Sequence, residues 1–268
     1  MEIVFKNVSA GNMLNNLSFN ICEKKITFVV GESGSGKSLL LSLIDGGISY
    51  DGEIFKDIES VMFLRQNPEN FFFCNTVYEE ILFELKKRKI KCDYDKKIIS
   101  SLRMVGLDES FLNRSPFEIS KGEQKKIAIA IVLACNPKLF ILDEPFSNLD
   151  YSSKKKLIKL FRMMKLKYGK TFIIATNDTD IALELADEVI GLRSGKIIFQ
   201  GNKFDLFANN QLLNDANIYE PKLVSFTNLV KDTKGINLGY RDDINDLMKD
   251  IYRFVKWQMC ECCLFVLQ

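Results

Sequence analysis

The sequence contains no histidine among its 268 residues, which removes the side chain that most often carries a proton near neutral pH. It also lacks any run of about 18 uncharged apolar residues, so no segment is predicted to span a bilayer. The first ten residues, MEIVFKNVSA, do not show the basic-then-apolar layout of an export signal. We therefore expect a chain that stays in the cytosol and does not itself cross a membrane.

A strong net charge is missing as well. The 37 Lys and Arg residues oppose 35 Asp and Glu residues, which leaves a formal charge of only +2. Proteins that bind nucleic acid usually carry a clear basic excess, so we expect no nucleic-acid partner. The lysine runs at 86–91 and 153–159 lie in helical patterns, where such runs are usually solvated faces.

Seven cysteines are scattered along the chain, and three of them crowd the tail as CECC (Cys260, Cys262 and Cys263). In a reducing compartment these are most simply free thiols. The alternative is a thiolate metal site, but such a site needs four ligands, and no fourth cysteine or histidine lies nearby. We expect thiols here rather than a metal.

The hydrophobic content of 47% is ample for one large core with an appendage. Short β-type runs fill the first thirty residues, helical spacing dominates from 76 to 133, and a buried strand KLFILD occupies 138–143. Helix 152–167, strand 171–175, helix 179–186 and strand 188–192 then alternate, and the chain turns mostly helical after Gly201. This alternation predicts an α/β fold with a largely parallel sheet.

A glycine-rich loop, GESGSGKS, follows an apolar strand and precedes an apolar helix. This G-x-x-x-x-G-K-[ST] spacing lets successive backbone N–H groups point at phosphate oxygens, with Lys37 as a point charge and Ser38 as a magnesium ligand. A flexible glycine turn would not need Lys-Ser at those positions. The residues predicted to bind nucleotide here are Gly31, Glu32, Ser33, Gly34, Ser35, Gly36, Lys37, Ser38 and Leu39.

A second acidic element follows in FILDEP, where an apolar strand ends in two adjacent carboxylates. Asp143 can hold a metal ion through water, and Glu144 can orient or deprotonate an attacking water. Two further segments bear on the same site. Gln66 ends a strand at the β-to-helical transition, where its amide can contact both metal and water. Ser120 with Gly122 begins a helix whose N-terminus suits an anion, although an ordinary helix cap is the better explanation of that pair taken alone.

Taken in order, GESGSGKS, FLRQNP, ISKGEQKK, FILDEPFSNLD and the strand end at 171–178 resemble the ATP-binding-cassette (ABC) ATPases. The resemblance covers about residues 2–201 and implies a P-loop NTPase (RecA-like) core with an antiparallel β subdomain, a helical insertion and a small C-terminal helical extension. The expected ATPase domain is 1–203, with the core at 1–66 and 136–203 and the helical subdomain at 67–135. Residues 204–268 would form the extension, an expected dimerisation domain.

The resemblance also implies how the residues work. Two cassettes would sandwich two ATP molecules, with Ser120 and Gly122 of one chain closing on the γ-phosphate held by the other. Magnesium would be held by Ser38, Gln66 and Asp143, and Ser147–Asp150 would link the two sites. Lys121 departs from the family pattern, which has a glycine there, and the N-terminal segment lacks the aromatic residue that commonly stacks on adenine.

A further departure falls at the end of strand 171–175, where the family normally places a histidine against the γ-phosphate. In this chain the residue at that place, which the resemblance makes the switch position, is Asn177. Its amide can donate a hydrogen bond to a phosphate oxygen, but it cannot carry a positive charge as histidine can. We therefore expect ATP binding to survive and turnover at this half-site to suffer, which favours a non-identical partner cassette with a complete switch.

Within the family, QNPENFFFCNTVYEEILFEL and the region after residue 201 are similar to the energy-coupling-factor (ECF) ATPases. This implies a peripheral subunit on the cytoplasmic membrane face, with a second ATPase, a transmembrane coupling protein and a substrate-binding membrane protein. Such assemblies import vitamins or transition-metal ions. The alternatives are the ATP-binding subunit of another ABC transporter or a weakly hydrolysing regulatory module. A DNA-repair or chromosome-organising cassette would carry a long coiled-coil insertion, which is absent from the sequence.

Overall fold

The computed structural model describes residues 2–58 and 60–265, with side chains described up to residue 255. The side chains of the CECC segment therefore lie outside the described residues. Among the described helices, none has the length and apolar character needed to cross a membrane.

Two sheets form the β structure. The larger has six strands in the order β5-β6-β7-β3-β8-β9, and the smaller has three in the order β2-β1-β4. The strands are β1 (Glu2–Ala10), β2 (Leu14–Cys22), β3 (Ile26–Val30), β4 (Asp51–Lys56), β5 (Val61–Leu64), β6 (Leu139–Asp143), β7 (Thr171–Thr176), β8 (Glu188–Arg193) and β9 (Lys196–Gly201). The larger sheet is parallel from β5 to β8, and only β9 pairs in the antiparallel sense. The smaller sheet is antiparallel throughout.

Ten α-helices and two short 3₁₀ turns are assigned within residues 2–58 and 60–265. The helices are α1 (Lys37–Asp45), α2 (Val77–Lys87), α3 (Tyr94–Met104), α4 (Lys121–Cys135), α5 (Tyr151–Tyr168), α6 (Thr179–Leu185), α7 (Lys203–Phe207), α8 (Asn210–Ala216), α9 (Lys222–Lys234) and α10 (Ile244–Phe265). The 3₁₀ turns span Pro68–Phe71 and Glu109–Phe111. The α/β fold and the helical segment between β5 and β6 are thus confirmed.

The central strands β3, β6 and β7 are buried along their whole length, which explains their unbroken apolar sequences. Because they run parallel, their carboxyl ends meet at one edge of the sheet. The phosphate loop (residues 31–38) follows β3, Asp143 ends β6, and Asn177 follows β7. The topology thus gathers three segments that are far apart in sequence.

The first helices of the C-terminal region pack on the sheet rather than apart from it. Leu206 and Phe207 of α7 are fully buried, and Leu213 of α8 and Val224 of α9 join them in the same apolar cluster as β3 and β6. Strand β9 ends at Gly201 and α7 begins at Lys203, so the chain passes from the larger sheet into the C-terminal helices through a single residue. The domain boundary at 203/204 stays a prediction, and the contacts place α7, α8 and the start of α9 against the ATPase core.

Candidate nucleotide site

A cleft of about 550 Å³ opens at the carboxyl edge of the larger sheet. Ten of the residues predicted for the site line it together: Ser33, Gly34, Gly36, Lys37, Ser38, Leu39, Gln66, Asp143, Glu144 and Asn177. Gly31 and Ser35, which belong to the same loop, are buried and do not line the cleft. Among the described residues that line the cleft, Ser120 and Gly122 do not appear.

The phosphate loop is shaped by close backbone contacts. A Cβ atom on Gly31 would lie 2.1 Å from the carbonyl oxygen of Leu192, so no other residue fits there without moving β8. Gly36 occupies the N-cap of α1 at φ 104° and provides no side-chain cap. The first N–H groups of α1 therefore remain available to an anion, which is the property a phosphate site needs.

Lys37 lies folded against its own loop. Its Nζ donates hydrogen bonds of 2.8 Å to the carbonyl oxygens of Gly31 and Glu32. Burial lowers the pKa of Lys37, while the carboxylates of Glu144 and Asp143 act in the opposite direction. Lys37 is thus held by two loop carbonyls and attracted by two carboxylates, next to the uncapped start of α1 where a phosphate would bind.

Asp143 is 3% exposed, at the last position of β6. Burial raises its pKa, and the Ser38 hydroxyl, which hydrogen-bonds to it, partly offsets the rise together with the charge of Lys125. A buried carboxylate beside a hydroxyl calls for a compensating cation. Ser38, Gln66 and Asp143 provide hydroxyl, amide and carboxylate oxygens, which are the ligand types that Mg²⁺ prefers, so the residues present fit this ion.

Glu144 adopts a left-handed backbone conformation with φ +47°, which is unusual for a non-glycine residue and typical of functional sites. Its carboxylate accepts a 3.0 Å bond from the Thr176 hydroxyl and a 2.9 Å bond from the Asn177 backbone N–H. Burial raises the pKa of Glu144, and these two hydrogen bonds oppose the rise. The carboxylate is therefore held in one orientation at the mouth of the cleft.

Asn177 reaches across the cleft with its side chain. Its Nδ2 donates a 3.2 Å hydrogen bond to the Ser33 hydroxyl, while its backbone N–H binds Glu144. The switch position thus touches both the phosphate loop and the predicted base.

The helix start at Ser120 forms a capping box. The Ser120 hydroxyl accepts from the Glu123 backbone N–H at 3.3 Å and donates to the Glu123 carboxylate at 2.7 Å. Gly122 packs so closely on the neighbouring loop that a Cβ atom there would lie 2.8 Å from the carbonyl oxygen of Asn148. We name residues 120–122 the signature turn. Its helix cap is as predicted, and its role toward a second chain stays a prediction.

Two residues of the cleft escaped the sequence analysis. Ser42 lies one turn after Ser38 on α1, and Met13 enters from the turn between β1 and β2 with its side chain 47% exposed. A helical i+4 spacing could have indicated Ser42. No local pattern indicates Met13, because its place depends on the smaller sheet packing beside the loop.

Comparison with known proteins gives one consistent result. The sequence profile described as "ABC transporter" matches residues 14–147. An ECF transporter ATP-binding protein, EcfA2, of Mycoplasma capricolum is 34% identical over 84% of this chain and 84% of its own length. An EcfA2 protein of Streptococcus agalactiae is 31% identical over 89% of this chain and 94% of its own length.

Solved structures agree with the sequence relatives. A dimeric ATP-binding cassette, MJ0796, described in a post-hydrolysis state with ADP and phosphate, superposes with a TM-score of 0.69 at 26% identity, covering 75% of this chain and 98% of its own. The protein cbiO1 of Clostridium perfringens, described as part of the ABC transporter complex cbiONQ, gives a TM-score of 0.67 at 27% identity, covering 84% of this chain and 98% of its own.

Proposed function

This chain belongs to the ABC transporter family of ATP-binding proteins, and from that premise we propose that it binds and hydrolyses ATP as the energising subunit of an ECF-type importer. The observation that carries the proposal is the convergence of Lys37, Asp143 and Glu144 in one cleft beside an uncapped helix N-terminus. This combination supplies phosphate binding and a base for water together.

ATP binding would begin at the phosphate loop. The free N–H groups of α1 receive the phosphates, and Lys37 exchanges its two loop carbonyls for phosphate oxygens. Ser38, Gln66 and Asp143 would hold Mg²⁺ there. When bound, this ion neutralises charge on the β- and γ-phosphates.

Glu144 would then act on the attacking water. Its carboxylate is held by the hydroxyl of Thr176 and by the backbone N–H of Asn177, and it lines the cleft in which the phosphates would bind. Burial raises the pKa of Glu144, and a raised pKa makes its carboxylate a stronger base toward the attacking water.

The site requires a second cassette for completion. Ser120 and Gly122 are not among the described residues that line the cleft, so their predicted γ-phosphate contact would be to a nucleotide held by a neighbouring chain. The dimeric state of the cassette MJ0796 supports this arrangement. ATP would close two cassettes, and hydrolysis would reopen them.

A membrane partner would dock near the Gln66 loop (residues 66–69). Phe73 and Phe83 lie nearby as an exposed edge-to-face pair with ring centroids 4.6 Å apart, 58% and 41% exposed. Exposed aromatic pairs of this kind suit a protein interface. We therefore propose that a transmembrane coupling protein binds here. A separate membrane protein would select the vitamin or metal ion, and the chain would lie on the cytoplasmic membrane face.

Asn177 favours a non-identical partner. An amide at the switch position weakens only the site to which it belongs, so a second cassette with a complete switch would carry more of the turnover. The purified chain, reconstituted in liposomes with the membrane components but no second ATPase, should transport more slowly than its Asn177→His variant. Equal transport rates for the two chains would contradict the proposed non-identical partner.

A second candidate function is a regulatory module that binds ATP, pairs with another chain and scarcely hydrolyses. Asn177 favours it, because the switch cannot be charged. The held carboxylate of Glu144 favours hydrolysis instead. Phosphate release by the assembly, with Glu144→Gln as the blank, separates the two functions: release well above the blank supports the ATPase, and release equal to the blank supports the module.

A further inference from the structure

Lys125 is a lysine with no exposed surface, in the second turn of α4. Enclosing an ammonium group is costly unless hydrogen bonds and opposite charges compensate it. One compensating contact is a 2.6 Å hydrogen bond that the Nζ of Lys125 donates to the backbone carbonyl of Gln66. Side chain and loop are 59 positions apart in sequence, so this bond joins two separate segments.

Lys121 makes a second link between α4 and the Gln66 loop, in this case an ion pair. It lies one turn before Lys125, on the same face of α4, and its Nζ forms an ion pair with the Glu69 carboxylate. Both members of that pair are about half exposed, at 59% and 48%. Lys121 and Lys125, here called the lysine pair, therefore hold both ends of the Gln66 loop.

The lysine pair connects two parts that serve different nucleotides. The lysine pair lies at the start of α4, the same helix end that carries Ser120 and Gly122, which are proposed to face the nucleotide of the second cassette. The loop that it holds carries Gln66, which lines this chain's own cleft. A 15-residue helix closed by a capping box is a stiff element, so a displacement at its start is passed to the loop.

We propose that Lys121 and Lys125 are positioning residues that make Gln66 follow the signature turn, so that engagement of Ser120 by the second cassette's nucleotide sets Gln66 in this chain's own site. This inference rests on the proposed function, because it assigns a physical link between two proposed roles. The nucleotide bound by one chain would thereby influence the metal and water in the other site.

A simpler role for Lys125 is charge compensation of Asp143 and Glu144, with which it interacts electrostatically. That role makes no use of Lys121, whose partner is Glu69. The two ideas differ in their predictions, because only the positioning role requires both lysines and only that role moves the loop.

The first test follows the loop directly. Asn70, which is exposed beside Glu69, is changed to tryptophan in the full-length Glu144→Gln chain. This chain is assembled with its partner cassette, and the change in tryptophan fluorescence emission is recorded when ATP and Mg²⁺ are added. The same assembly without Asn70→Trp gives the background, and light scattering reports pairing. We expect Lys125→Met to lose at least two thirds of the emission change while pairing stays within twofold.

The matched control is Lys170→Met. Lys170 donates to the carbonyls of Asn136 (3.0 Å) and Pro137 (2.8 Å) at the opposite end of α4, so its loss removes similar bonds away from the loop. With Glu144 intact, Lys125→Met should lower kcat about tenfold, whereas Lys170→Met should leave kcat and the emission change within twofold. Equal behaviour of the two variants would overturn the proposal.

The exposed ion pair provides a second test that does not depend on a buried substitution. Lys121→Glu and Glu69→Lys alone should each halve the emission change, and the double exchange should restore it. Failure of the double exchange to restore the change contradicts positioning. If the unaltered assembly neither pairs nor hydrolyses ATP, the proposed function itself fails, which is a separate result.

Discussion

The side-chain amide of Asn177 donates a 3.2 Å hydrogen bond to the hydroxyl of Ser33, which joins the end of β7 directly to the phosphate loop. The same residue gives its backbone N–H to Glu144. Position 177 thus touches both the phosphate loop and Glu144, the proposed base, and the identity of its side chain decides what it can offer to a γ-phosphate.

The first prediction concerns this side chain. Asn177→His should raise ATP turnover by about one to two decades, because a charge-assisted hydrogen bond typically contributes ~1.5–3 kcal/mol. The gain should be largest below about pH 6.5, where an ordinary imidazole is protonated. Steady-state phosphate release across pH checks this. An unchanged rate at every pH would mean that position 177 does not contact the transferred phosphate.

The second prediction concerns Glu123, whose carboxylate binds the Ser120 hydroxyl at 2.7 Å. A negative charge directly after the signature turn opposes approach of the partner's nucleotide. Two unit charges about 4 Å apart interact by ~1 kcal/mol in bulk water and ~4 kcal/mol near a protein surface. Glu123→Gln keeps the capping box and removes the charge. We expect roughly tenfold tighter ATP-driven pairing in the Glu144→Gln background, measured by light scattering. Weaker pairing would show that Glu123 assists docking.

The third prediction concerns the acid stability of the same helix start. The side-chain and backbone hydrogen bonds of Ser120 hold the pKa of Glu123 below its ordinary 4.5. A lowered folded-state pKa stabilises the protein fully above pH 4.5, and this stabilisation is lost as the pH falls through the lowered value. The unfolding midpoint of the unaltered chain should therefore fall more steeply than that of Glu123→Gln below pH 4.5. Parallel midpoints between pH 6 and pH 3.5 would contradict this assignment.

The fourth prediction concerns the base of the nucleotide. Met13 lies in the cleft, where a flat ring could stack on adenine, and its half-exposed position leaves room for a larger side chain. Met13→Tyr should tighten ATP binding at least about fivefold, because stacking on an aromatic ring contributes ~1–3 kcal/mol per base. Isothermal titration with ATP measures the gain, and tripolyphosphate, which has no base, is the control. An equal gain in affinity for both ligands would show that the side chain at position 13 does not contact the base.

Much of this arrangement follows from sequence. The spacing of Gly31 to Ser38 and the apolar strand that ends in Asp143 predict a phosphate loop and an acidic pair, and parallel strands bring such ends to one edge. These signals are local, since each depends on a few neighbouring residues. The fold places them in a common cleft as expected.

Other relationships have no local signal. The bond from Lys125 to Gln66 spans 59 positions, and the 2.6 Å bond from the Asn217 side chain to Glu32 spans 185. A lysine in a helical apolar pattern reads as a solvated side chain, and only packing of α4 on the Gln66 loop shows that Lys125 is enclosed. Such contacts depend on tertiary packing, which a single sequence does not specify residue by residue.

The most direct measurement is a structure of the Glu144→Gln chain trapped with ATP, Mg²⁺ and its partner cassette. The account predicts two nucleotides at the seam, with the Ser120 hydroxyl about 2.7–3.0 Å from a γ-phosphate oxygen of the nucleotide that the partner holds. A trapped complex in which Ser120 still pairs only with Glu123, remote from the partner's nucleotide, would contradict it.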